Sequence, residues 1–223
     1  MPGDWTMSMM WVRMPGETWS GATVAFVGMW VVMMVPMMLP SLAPMLWRYR
    51  HAVGGIGESR LVPLATLVSF AYFAVWTLVG LAVFPLGVGL TAVEVRLPSV
   101  SRAVPLAVGA VVLLAGALQF SPWKARHLAC CREAPERGSP LRADVVTAWR
   151  LGVHLGVHCV LSCANMTVIL LVIGMMDLRA MAAVTAAITA ERLAPSGERA
   201  ARVVGAVVVG SGVLLIARAA GMG

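Results

Sequence analysis

Long apolar runs, separated by short polar connections, make up almost the whole chain. No Asp, Glu, Lys or Arg occurs between Glu17 and Arg48, between Arg60 and Glu94, between Arg102 and Lys124, or between Arg150 and Asp177. Each gap accommodates the ~20 residues that a helix needs to cross the hydrocarbon layer of a bilayer. Two shorter apolar stretches follow, about 178–194 and 203–217, divided by Ala194-Pro195-Ser196-Gly197, whose proline and glycine break a helix. The pattern predicts an all-α fold, a polytopic transmembrane bundle of about six helices. No repeat of fixed period is present, and no polar stretch is large enough for a core of its own, so residues 1–223 read as one integral membrane domain.

Composition agrees with the pattern. Apolar residues make up 60% of the chain and charged residues only 12%, with a mean hydropathy of +0.86, outside the range of an ordinary soluble domain. A net charge of +7 would suit nucleic acid if it lay on one soluble face, but the Lys and Arg residues sit between the apolar runs. The expected partner is therefore the lipid bilayer, and no nucleic acid. The connections 43–60, 121–150 and 192–202 carry twelve of the 17 basic residues, and the positive-inside rule makes their side the cytoplasm. The expected location is the cell (inner) membrane, multi-pass, with both termini external. Residues 1–20, with Met7, Met9, Met10 and Met14, form an external Met-rich segment, and 121–147 a cytoplasmic loop. Asp4, Arg13 and Glu17 interrupt the region where a signal peptide needs an unbroken apolar core.

The charge-free run from His154 to Met166, HLGVHCVLSCANM, holds the most unusual chemistry. At about 100° per residue, His154, His158, Ser162 and Asn165 share one helical stripe, and Cys159, Cys163 and Met166 form a second beside it. Polar groups in hydrocarbon are costly and normally face a bundle interior or a cavity, which makes this cluster a functional-site hypothesis. On the first helix Met33 and Met37 recur one turn apart, as do Met34 and Met38. Gln119 and Glu191 are polar groups at the inner ends of otherwise apolar helices. All four groups converge on the cytoplasmic half of the membrane.

The predicted metal ligands are His154, His158, Cys159 and Cys163, completed by Met33, Met34, Met37 or Met38, since one helix cannot surround an ion. Gln119, Asn165, Met166 and Glu191 are expected around them. Thiolate, thioether and imidazole suit copper(I), with zinc as the alternative, while the lack of a carboxylate cluster argues against magnesium, calcium and manganese. Haem has no attachment motif here. A methionine stripe alone more often fills gaps in a core than binds metal; two imidazoles beside two thiols shift that balance. Cys130, Cys131, His51 and His127 read as loop residues, Cys159 and Cys163 as free thiols, and Gly152 and Gly156 as small residues that let helices approach.

Several of these segments together resemble the bacterial "predicted metal-binding integral membrane protein" family, a domain family of unknown function. They are MWVVMMVPMMLPSLAP from Met29 to Pro44, YFAVW from Tyr72 to Trp76, and AGALQFSPWKARHLACCREAP from Ala115 to Pro135. GVHLGVHCVLSCANM from Gly152 to Met166 and the GMMDLRAM…AERLAP ending from Gly174 to Pro195 complete the set. The resemblance implies a membrane protein that binds metal. Members usually carry C-x-G-C-C-W in the fourth helix; here Leu161, Ser162, Cys163 and Ala164 follow Cys159 and Val160, so one thiol is a hydroxyl and the tryptophan is absent. Many members also have a helix ahead of the methionine-rich one, for which this sequence has no counterpart.

Three functions fit. The protein handles copper by binding, delivery or transport, with a metal donor, another membrane protein or a second copy as partner; or it is a copper-dependent membrane oxidoreductase or oxygenase, or a subunit of one; or it is a structural or assembly subunit without metal. No catalytic residue is singled out.

Overall fold

A computed structural model describes residues 16, 18–53, 57–132, 142–174 and 177–221, the side chains of 98–102 and 130–132 excepted. Met7, Met9, Met10 and Met14 of the segment expected to be external, and the thiols of Cys130 and Cys131, lie outside the described residues. The fold is all-helical, with seven helices among those residues: α1 Trp19–Ala52, α2 Glu58–Arg96, α3 Pro98–Leu118, α4 Pro122–Arg132, α5 Val145–Ile173, α6 Leu178–Leu193 and α7 Gly197–Gly221. By length and composition α1, α2, α5 and α7 can each cross a membrane, and α3 with α4, bent by 62°, can make a fifth span. The fifth expected span, about 178–194, corresponds to α6, which has only 16 residues, about 24 Å of helix at 1.5 Å per residue.

The additional helix is α4, in a stretch expected to be part of a polar connection. Its start has a local cause. The Ser121 hydroxyl accepts from the Lys124 amide at 3.2 Å and donates to the Leu118 carbonyl at 2.7 Å, closing α3 and opening α4, and Pro122 occupies the first helical position. Asp144 caps α5 by accepting from the Thr147 amide at 2.6 Å, and that hydrogen bond holds its carboxyl below the ordinary value. Gly174, at φ +125°, ends α5 in a conformation that other residues avoid.

Cross-helix contacts fix the packing directions. Phe26 meets Phe84, the Trp30 indole donates to the Trp76 carbonyl at 2.9 Å, and Arg50 reaches Glu58, so α1 and α2 run antiparallel. Gly152 abuts Val68 and Ala71, and Gly156 abuts Tyr72 and Val75, so α2 and α5 run parallel in close contact. Gly109 faces Ile216 and Gly116 faces Val209, which pairs α3 antiparallel with α7. The outward side chains are Val24, Val32, Phe70, Leu78, Leu86, Leu114 and Leu214, each more than half exposed. An apolar surface of this extent suits lipid as solvent. The main core joins Met33, Met34, Met37 and Met38 of α1, Tyr72 and Trp76 of α2, Cys159, Cys163 and Met166 of α5, and Ile188 of α6.

Candidate metal centre

Three sulfurs meet in that core. The Cys159 thiol donates to the Met38 thioether at 3.8 Å and accepts from the Tyr72 hydroxyl at 2.8 Å. Cys163, one turn further along α5, is buried in the same core. Both thiols are buried, at 0% and 1% exposure, and free of disulfides. Pro36, Pro40 and Pro44 lie inside α1 and remove three amide donors from its ladder, which loosens the backbone around Met37 and Met38. Met33, Met34, Met37 and Met166 are buried in the same core.

A charged network borders the thiols. The Lys124 ammonium pairs with Glu191 at 2.8 Å, both side chains 2% exposed, and also donates to the Ser162 carbonyl. Gln119 donates to the other Glu191 oxygen at 2.7 Å. The Arg192 guanidinium donates to the Ser162 hydroxyl at 2.8 Å and to the Cys163 sulfur at 3.5 Å. Asn165 donates to the Ala115 carbonyl at 3.1 Å and so ties α5 to α3.

The first α5 stripe is divided by its neighbours. Ser162 and Asn165 are covered by α3, α4 and α6, whereas His154 is exposed and His158 half-buried, on the outer side of the same helix. There His158 meets His127 of α4, with the two Nδ1 atoms 3.2 Å apart, and the His154 ring lies 4.3 Å from the His158 ring. The imidazoles thus face a different region from the sulfurs. Gln119 and Glu191, expected near a histidine, contact each other, and Glu191 pairs with Lys124.

Residues 27–215 match the PpoB2 family, described as copper chaperones. The chain belongs to this copper chaperone family. The matched region runs from α1 into α7 and contains every residue proposed above as a ligand or its neighbour. The family description is consistent with copper and is more specific than the metal-binding resemblance of the sequence segments. No curated protein and no solved structure gives a match.

Sequence reasoning missed Lys124, Arg192, Tyr72 and His127 as members of these clusters. Lys124 was expected to be a solvated charge that orients the chain, and it is instead buried against Glu191. Its signal was the Ser-Pro pair at 121–122, which starts a helix and turns Lys124 inward. Tyr72 lies in the YFAVW element that the resemblance quoted, without a role attached. Among the described residues no three His, Cys, Asp or Glu side chains converge on one point. Methionine is therefore needed for a three-ligand site at the thiols.

Proposed function

We propose that this protein is a membrane-embedded copper chaperone that holds copper(I) between Cys159, Cys163 and Met38 and passes it to an acceptor protein. The observation that carries this reading is the 3.8 Å separation of the Met38 and Cys159 sulfurs in a buried core. Two sulfurs each about 2.3 Å from a shared ion, at an angle of 100–120°, lie roughly 3.5–4.0 Å apart. Two thiolates and a thioether are a soft donor set, which selects copper(I).

The Met38 thioether favours copper(I) over zinc, because soft thioether sulfur suits copper(I) whereas zinc sites draw on thiolate, imidazole and carboxylate. Binding would release the thiol protons, and Tyr72 and Arg192 would donate to the sulfurs that become negative. Met33, Met34, Met37 and Met166 offer further thioethers in the same core, along which a weakly held ion can exchange. A chaperone needs such labile donors, because tight closure would prevent release.

Copper(I) affinity of the full chain in mild detergent, measured anaerobically by competition with a chromogenic chelator, tests this assignment. Replacing both Cys159 and Cys163 with Ser should abolish tight binding, and Met38→Leu should weaken it, with both variants monodisperse. Unchanged copper(I) affinity in the double serine variant would overturn the assignment.

A further inference from the structure

We infer a second metal site, formed by His127, His154 and His158 and separate from the buried sulfurs, that takes a divalent transition-metal ion. The geometry begins with His127 and His158, whose Nδ1 atoms stand 3.2 Å apart although they come from different helices, α4 and α5. Two imidazole nitrogens about 2.0–2.1 Å from one ion, at tetrahedral or octahedral angles, lie roughly 2.8–3.4 Å apart. The pair has the spacing of a chelate.

His154 supplies the third donor. It lies four residues before His158, on the same helical face, with its ring centroid 4.3 Å away. As they stand, the three rings do not point at one centre. His154 is exposed, however, and an exposed side chain changes rotamer in picoseconds to nanoseconds. Trp123 packs against His127, its ring 4.6 Å away edge-on. An open groove of about 390 Å³, lined by Trp149, Arg150, Val153, His154, Val157 and His158, leads to the rings from outside. Only imidazoles are present in this trio, a borderline-soft set that suits copper(II) or zinc and disfavours calcium or magnesium. The sulfur site, by contrast, suits copper(I), so the two sites would separate by both position and ligand type.

The test uses the untagged full chain carrying Cys159→Ser and Cys163→Ser, titrated with copper(II) and separately with zinc, so the result does not depend on the sulfur site. One ion should bind, and the copper(II) form should show nitrogen hyperfine structure in its electron paramagnetic resonance spectrum. Adding His127→Ala should weaken binding by about 100-fold or more, beyond the usual 10–100-fold cost of losing an outer-shell partner. His154→Ala, at an exposed position, should also weaken it. Failure of this doubly substituted chain to bind either ion, or unchanged affinity in the folded His127→Ala and His154→Ala variants, would overturn the inference and leave the histidines as a hydrogen-bonded pair beside a third ring.

Discussion

Lys124 and Glu191 pair at 2.8 Å with almost no exposure, which makes each side chain the condition for burying the other. Removing one partner of a buried pair leaves an uncompensated charge and typically costs about 3–5 kcal/mol, while replacing both with apolar residues costs far less. Lys124→Met should therefore lower thermal stability in detergent markedly, and Lys124→Met combined with Glu191→Leu should recover most of the loss. A double variant no more stable than Lys124→Met would show that the carboxylate is held by Gln119 and its surroundings alone. Gln119 and Glu191 were visible in the sequence as polar groups at the inner ends of apolar helices, and they do touch. Their lysine partner was not, because charge counting treats every lysine between apolar runs as solvated. The thiols and methionines were legible from helical spacing. The separation of His154 from Cys159 was not, because adjacent stripes diverge once α4 and α6 cover only part of the helix.

Helix contacts depend on glycines at a few close approaches. A Cβ at Gly152 would meet the Val68 carbonyl and lie 2.6 Å from the Ala71 Cβ, whereas one at Gly210 meets nothing within 4 Å. Gly152→Ala should push α2 and α5 apart at a cost of about 1–3 kcal/mol, the usual range for overpacking. Gly210→Ala, in an exposed helical position, should be neutral or stabilising by up to ~1 kcal/mol. Thermal unfolding of the two variants side by side checks the contrast, and equal melting temperatures would mean that the α2–α5 seam can open without penalty. Because Tyr72 reaches Cys159 across this seam, Gly152→Ala should also reduce copper(I) affinity. Small residues four apart were enough to mark Gly152 and Gly156 as contact positions, but not to name α2 as the partner. Four long helices followed directly from charge-free gaps; α4 did not, since its sequence contains too many polar residues to stand out by hydropathy.

At the scale of the whole molecule the histidines and the charged network lie toward one end of the bundle, and the sulfurs near its middle. Cys159 is about halfway along α5 from Val145, His127 and Lys124 belong to α4, and Glu191 and Arg192 end α6. That end carries the basic connections, so orientation decides from which compartment the protein would take up copper. Lys124 is paired inside the protein and contributes nothing to the positive-inside balance, leaving eleven of the 17 basic residues in the connections of that end. The bias survives the correction, so the cytoplasm remains the compartment that the positive-inside rule predicts for this end. In a chain whose native cysteines are replaced, single cysteines at Ser59 and Ser139 should be shielded from an impermeant thiol reagent in intact cells, and one at Ser20, exposed at the opposite end of α1, should be labelled. The reverse pattern would invert the molecule. Arg192, which touches both solvent and the Cys163 sulfur, would then face the exterior, and the acceptor for copper would have to be an external protein.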